Sequence, residues 1–444
     1  MSSTTLNGTL VRAVGVAALG GSLLGFDTAV ISGATQSLVA EFHLTSGQLG
    51  LTVSAALWGT VIGAIAAGPM GRRYGGKTSL LILAACYLVS ALGAALSNGW
   101  ALFLLTRFIG GLGMGGSSVI APVYIAEVSP ASWRGRLVGA FQINIIGGIL
   151  VAYFSNYLIG RFSLGADEWR WQFGVAAAPA ALFLSMLLRN PPSARWLAMR
   201  GRIEEAIEVL RQLGSTSPST ELAEIVAASS EESEPGANRL IQRRYRRPIL
   251  LALVLAMFNQ LVGINAVLYY LNDIFSMAGF DRTSQNLQAV AVGGVMLVST
   301  LGALAVIDNY GRRTLLLIGS VGLGICLLGI TVVLNTHGYE RWLLLLIAGF
   351  VASFSFSQGA VIWVYLSEIF PARVRAQGQS LGSSTHWIMN ALVSGSFPLI
   401  AAHSHSGPFI FFLLMVVLQF VIVLTFFPET SGISLEAMHE RLAS

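Results

Sequence analysis

The sequence predicts an all-α membrane protein with twelve transmembrane helices in two six-helix, pseudo-symmetric halves. Three observations predict it. Hydrophobic residues make up 54% of the 444 and charged residues 11%, at a mean hydropathy of +0.70, which leaves too little polar surface for a soluble globule of this size. Apolar runs of roughly twenty residues, the length needed to cross a bilayer core, occur six times on either side of one polar interval. The charged punctuation also repeats: Tyr124, Glu127, Pro130 and Arg134 are matched by Tyr365, Glu368, Pro371 and Arg375, each pair offset by 241.

The first six runs fall near 12–35, 46–68, 78–97, 100–124, 137–160 and 170–188, and form an N-terminal half over residues 1–189. Arg12 precedes an apolar stretch longer than a signal-peptide core, so the first run reads as a retained span. Residues 190–247 are too polar to span and read as a cytoplasmic linker of short helices. Ile203, Ile207 and Leu210 keep a helical spacing beside Glu204, Glu205, Glu208 and Arg211, and a Pro/Ser/Glu-rich stretch follows at 215–236. Six further runs near 248–275, 286–307, 313–334, 342–366, 377–402 and 407–427 form a C-terminal half over 248–428, and 429–444 is a tail. A Gly-Arg-Arg loop follows the second span of each half, at 71–73 and 311–313.

Charge sets the expected orientation. Of 26 Lys and Arg, only Arg161, Arg170, Arg282 and Arg341 fall in loops of one side, and Arg107 lies within a span; the other 21 lie on the opposite side. By the positive-inside rule both termini are cytoplasmic. The net charge of +5 is spread over short loops and is no nucleic-acid signal. Cys86 and Cys326 sit inside apolar runs and imply no disulfide. The sequon Asn7-Gly8-Thr9 falls on the cytoplasmic side, where it is not glycosylated. Gly71 to Thr78 fits a phosphate-loop pattern but follows a membrane span rather than a strand, so nucleotide binding is not expected.

The informative residues are the polar ones inside the spans. Asn259, Gln260 and Asn265 surround Gly263 halfway along span 7. Side-chain amides in hydrocarbon need partners, so these face a cavity or a neighbouring helix. A Gly-interrupted span with amides at mid-depth points to a transporter's binding site, the alternative being helix-to-helix pinning. Asp27 lies about nine residues and Arg107 about seven from the outer ends of spans 1 and 4, which at about 1.5 Å per residue places them at similar depth, within reach of each other. They form either a proton switch, in which protonation of Asp27 releases Arg107, or a static pair that orients two helices.

The motifs resemble one family throughout the chain. They are Gly25-Phe26-Asp27-Thr28-Ala29-Val30-Ile31-Ser32-Gly33, Arg107-Phe108-Ile109-Gly110-Gly111, Pro122-Val123-Tyr124-Ile125-Ala126-Glu127 running into Arg134-Gly135, and Gln260 with Gly263-Ile264-Asn265. Asp308-Asn309-Tyr310-Gly311-Arg312-Arg313, Glu368-Ile369-Phe370-Pro371 and Pro428-Glu429-Thr430 follow. Together they resemble the sugar porter branch of the major facilitator superfamily, close to bacterial sugar/proton symporters. The resemblance implies the major facilitator fold, and a site for an uncharged polar ligand that needs amides, hydroxyls and an aromatic face. Carried over residue by residue, the substrate candidates are Gln142, Asn259, Gln260, Asn265, Trp363, His386, Trp387 and Asn390, with Tyr269 and Tyr270 as a gate. Glu127 with Arg134, and Glu368 with Arg373 or Arg375, together with Arg312, Arg313 and Glu429, are expected to form inner-face ion pairs where the halves meet.

The chain also departs from the family pattern. Asn259 stands for the first of two Gln, Met296 for an Asn of span 8, and His386 for Asn or Gln of span 11. Gln358 and Ala360 replace Trp and Pro before Trp363, and Arg72 replaces an Asp of the first-half loop. Pro192 and Ala194 interrupt the Pro-Glu-Ser-Pro-Arg that usually follows span 6. Fewer amides face the ligand, so a pentose fits as well as a hexose, and the N-terminal inner network is expected to be thinner. His386 reads as a pocket donor, a second proton site or a structural histidine.

The expectation is therefore an inner-membrane, proton-coupled sugar symporter that works by alternating access around a site lined by spans 5, 7, 10 and 11. It is expected to be a monomer whose partners are the sugar, the proton and the lipid bilayer, with no cofactor and no metal. A facilitator with the same pocket is the nearer alternative, against which Asp27 with Arg107 argues. A non-transporting sugar sensor is the more distant one, against which the short tail argues. An enzyme is not expected, because no metal-ligand spacing or nucleophile-base arrangement stands out.

Overall fold

The computed structural model describes residues 7–130, 133–231, 240, 242–336, 340–371, 374–431 and 438; within these, the side chains of Arg134, Asp308 and Asn309, among others, lie outside the description. The described residues are nearly all helical and contain no strand. Ten helices among them are long and apolar enough to cross a membrane. Two more crossings complete the expected twelve. Ser46–Ala95, 50 residues long, carries spans 2 and 3 in one run. Arg375–Ala401 is span 11, less apolar than the others because Thr385, His386, Asn390 and Ser394 interrupt it.

Two junctions between consecutive spans are one-residue glycine hinges. Spans 2 and 3 turn at Gly75 (φ 77°, ψ 166°), and spans 8 and 9, Arg282–Tyr310 and Arg312–Thr336, turn at Gly311 (φ 80°, ψ 157°). An L side chain resists this backbone, and a Cβ at Gly311 would come within 2.5 Å of the Glu429 carboxylate. The matching conformations correct the register of the repeat. Gly75 is the structural counterpart of Gly311, whereas Gly71 lies inside the helix, so the Gly-Arg-Arg at 71–73 is a coincidence of sequence. Gly76 and Lys77 then stand where the second half has Arg312 and Arg313.

Spans 7 and 10 are broken. Span 7 is the series Arg246–Leu261, Ile264–Tyr269 and Leu271–Met277, interrupted at Gly263, whose φ of 89° is left-handed and whose missing side chain leaves room for the Phe412 ring. Span 10 divides at Ser357 (φ −118°, ψ −88°) into Leu343–Phe356 and Gln358–Glu368. The break persists although Ala360 occupies the position where a proline is usual.

In the linker, Ala194–Met199, Ile203–Gln212 and Pro218–Glu231 are helical, the last of them inside the Pro/Ser/Glu-rich stretch. The buried stripe of the middle helix is Ala206, Val209 and Leu210; Ile203 is exposed and Ile207 half-buried, so the apolar face is rotated from the expected one. Arg202 grips Glu205 through two nitrogens at 2.6 and 2.5 Å and lowers the pKa of its carboxyl.

Contacts divide the chain into two compact units, residues 1–28, 58–152 and 170–236, and residues 29–57, 153–169 and 237–444. These cut across the expected halves at 1–189 and 248–428. Inside the second unit the ends of spans 1, 2 and 5 away from the linker pack on spans 7, 8 and 11. Arg282 reaches the Ser37 hydroxyl at 2.6 Å and Glu168 at 3.3 Å, and Gln36 meets Gln285 at 3.4 Å. Tyr153 donates to the Leu268 carbonyl at 3.0 Å, and Gly50 lies so close to Gly395 that a Cβ would sit 2.0 Å from its oxygen. The side away from the linker is thereby closed in this unit.

Candidate functional site

In the first unit, Arg107 is 2% exposed and donates to Asp27 through both terminal nitrogens, one to Oδ1 and one to the backbone carbonyl at 3.4 Å. Its guanidinium lies over the Phe173 ring, 5.1 Å from the centroid. Asp27 Oδ2 is buried with no hydrogen-bond partner among the described residues. The pair expected from depth alone is thus formed. Gln142 also belongs to this unit, half-buried on Arg134–Arg161, two residues from Asn144, whose amide oxygen accepts from Ser22 at 3.0 Å.

In the second unit the break at Gly263 gathers the amides of span 7. Asn265 Nδ2 donates to Gln260 Oε1 at 2.9 Å, and Gln260 Nε2 donates to Asn259 Oδ1 at 3.0 Å while lying 3.3 Å from both ring nitrogens of His386. His386 stands between two indoles, 5.4 Å from Trp363 and 5.1 Å from Trp387 by ring centroids. Trp363 is 37% exposed, whereas Trp387 and His386 are each 8% exposed. Asn390 donates to the Tyr269 hydroxyl at 3.2 Å, and Tyr270 is stacked on Phe397 and donates to the Ser394 carbonyl at 3.0 Å. Both tyrosines are thus pinned by span 11 in this state. Seven of the eight substrate candidates lie in this unit, and Asn259, Gln260, Asn265, His386 and the two indoles form one connected group.

The linker-side charges pair differently from the expectation. Glu368 is held by Arg312 Nη2 at 2.8 Å and by the Thr430 hydroxyl at 2.6 Å, not by Arg375, which donates to the Phe370 carbonyl at 3.4 Å. The reason is tertiary: the Gly311 hinge brings the first turn of span 9 against the end of span 10, while Arg375 begins a helix that leads away after Pro371. Arg373 lies outside the described residues. Glu429 makes no described ion pair; its carboxylate accepts from the backbone N–H of Arg312 at 2.8 Å and of Arg313 at 3.1 Å, capping the helix where the dipole favours an anion. Arg313 ends on the Leu424 carbonyl at 2.7 Å.

The first unit repeats this scaffold with fewer charges. Tyr124 donates to the Pro191 carbonyl as Tyr365 does to that of Pro428, at 2.6 and 3.2 Å. Glu127 bonds to Ser193 as Glu368 does to Thr430, and faces Arg195; the side chain of Arg134 lies outside the description. Gly76 stands in place of Arg312 and Pro192 in place of Glu429.

Some residues here are not singled out by sequence reading. Asp273 is a carboxyl inside run 248–275, with Thr35 and Gln36 as hydrogen-bond partners and a buried Oδ2 without one among the described residues. The Glu168–Arg282 pair and Gln419 of span 12 also escape. Asp273 carries a legible signal, a charge in an apolar run; the others become visible only through their partners.

Broken membrane helices with amides and indoles at the break, together with a buried carboxylate–guanidinium pair, define a secondary transporter for an uncharged polar solute. Residues 13–442 match the sugar (and other) transporter family, and the chain belongs to it. It is 35% identical to the D-xylose-proton symporter of Escherichia coli (strain K12), over 95% of this chain and 94% of that protein. It is also 35% identical to a glucose transport protein of Synechocystis sp., over 98% of each. In structure it is similar to the xylose transporter XylE from E. coli in a partially occluded inward open conformation, with a TM-score of 0.86 at 33% identity, covering 96% of this chain and 100% of that one. The chain is a multi-pass membrane transporter rather than an enzyme.

Proposed function

We propose that this chain is a proton-coupled sugar symporter that works by alternating access. The observation that carries the coupling is the Asp27–Arg107 pair, buried and bonded, with one carboxylate oxygen free to take a proton. Protonation neutralises Asp27, weakens its hold on Arg107 and frees span 1 to move against span 4. The sugar is a pentose or hexose, taken up by Gln142, Asn259, Gln260, Asn265, His386 and Asn390 through its hydroxyls and by Trp363 and Trp387 through its C–H face. Relatives named for xylose and for glucose support both ring classes. Tyr269 and Tyr270 gate the site from the side opposite the linker.

The termini and linker are proposed to be cytoplasmic, so the closed side of the second unit is the outer side. Broken span 7 joins that closure to the amides, since Leu271–Met277 follows Ile264–Tyr269 directly. The protein is proposed to sit in the inner membrane as a monomer. Glu127, Arg134, Arg312, Arg313, Glu368, Arg373, Arg375 and Glu429 then form the inner-face set, within which Arg312–Glu368 is the ion pair that the geometry supports best.

The test is uptake of labelled pentoses, hexoses and inositol into proteoliposomes with and without an inward proton gradient. Accumulation above equilibrium only with the gradient supports symport and names the sugar. Equilibration indifferent to the gradient makes the protein a facilitator, and binding without uptake makes it a sensor.

A further inference from the structure

Behind the amides of span 7 stand two more that the proposed function leaves unused. Gln358, the first residue after the break in span 10, and Gln419 of span 12 are each 1% exposed. Gln358 Nε2 donates to Gln419 Oε1 at 3.0 Å, and the remaining Gln358 Oε1 and Gln419 Nε2 are buried with no partner among the described residues. The backbone carbonyl of Gln358 accepts from Asn259 Nδ2 at 3.4 Å, and Asn259 Oδ1 accepts in turn from Gln260. One continuous run of amides therefore leads from span 12 through span 10 to span 7.

Burying primary amides with half their valence unsatisfied is costly, and two leucines would fill the same space more cheaply. Their placement accounts for them. The backbone at Ser357 is irregular, so the first half of span 10 does not hold the turn that begins at Gln358 in line, and the usual proline at 360 is absent. The side-chain bond to Gln419 ties this first turn to a continuous helix, Gly407–Phe426, at the point where the turn presents its carbonyl to Asn259.

We propose that Gln358 and Gln419 form a positioning pair for the sugar site: their bond fixes the break in span 10 so that the Gln358 carbonyl orients Asn259, and through it Gln260, toward the ligand. The inference rests on reading the span 7 amides as the sugar site. Gln358 and Gln419 do not touch the sugar. They set the angle of the amides that do, and hence its affinity.

The experiment measures initial uptake against sugar concentration for the full chain in proteoliposomes, with the sugar identified by the uptake panel. It compares Gln419→Leu, the double variant Gln358→Leu with Gln419→Leu, and Gln260→Ala. The expected result is a KM raised about fivefold in Gln419→Leu, the worth of one hydrogen bond, with the maximal rate per folded protein within twofold of the parent. The double variant removes both buried amides, so its yield and thermal midpoint return toward the parent while KM stays raised. A pair that only stabilises the fold would lower yield in the single variant, recover in the double, and leave KM unchanged in both; that result overturns the proposal. If Gln260→Ala raises KM while Gln419→Leu does not, the positioning role fails and the sugar site stands. If Gln260→Ala also leaves KM unchanged, the site reading fails and the positioning role with it.

Discussion

Asp27 and Gln260 show how single residues divide the work. Asn in place of Asp27 keeps an oxygen for Arg107 but takes no proton. Asp27→Asn is therefore expected to abolish uphill uptake while leaving sugar exchange across the membrane, and full accumulation in this variant would show that the pair is only structural. Gln260 bonds to Asn259 and Asn265 and contacts His386. Gln260→Ala removes a proposed sugar partner and leaves two amides short of theirs, a loss of about 1–2 kcal/mol, so KM is expected to rise roughly five- to thirtyfold in concentration-dependent uptake. Both residues are legible in the sequence because a polar group inside an apolar run has few explanations. Gln419 has the same chemistry in run 407–427, but a lone amide gives no direction; only its bond to Gln358 shows what it does.

At the scale of elements, the hinges and breaks decide which side chains meet. Gly311 turns span 8 into span 9 and seats the Glu429 carboxylate on two backbone N–H groups. Gly311→Ala forces a side chain into the left-handed region and against that carboxylate, at a cost of about 1–3 kcal/mol. The thermal midpoint of the detergent-solubilised protein is expected to fall clearly below that of Gly294→Ala, where an added Cβ meets nothing within 4 Å. The break of span 7 follows from Gly263 and is readable in advance, whereas that of span 10 lacks its proline and is not. Arg375 illustrates the same limit. It repeats Arg134 at the offset of 241, yet Arg312 takes Glu368, because a hinge over fifty residues upstream sets which cation arrives.

At the scale of the molecule, the closure of the second unit away from the linker is the feature that function must undo. Glu168, buried, and Arg282, partly exposed, hold one edge of it. Glu168→Gln keeps a hydrogen-bond acceptor but removes the charge, which is worth on the order of 1 kcal/mol at a partly exposed site. In a Thr35→Cys background lacking Cys86 and Cys326, maleimide labelling from that side is expected to quicken about fivefold; an unchanged rate would show that the pair does not hold the closure. Thr35 is 1% exposed, so its labelling reports opening.

Membrane class, twelve crossings, the repeated half and the short list of polar residues at depth were all legible in residue order, because hydrocarbon penalises polar groups so heavily that each one announces itself. Tertiary structure decided the pairings: Glu368 with Arg312, Gln358 with Gln419, Glu168 with Arg282, and the capping role of Glu429. It also decided that the ends of spans 1, 2 and 5 close on the second half's helices in this state. The physical reason is that a helix transmits periodicity but not direction across a break. Where Gly75, Gly263, Gly311 and Ser357 bend the chain, partners are chosen by angles that no spacing in the sequence encodes.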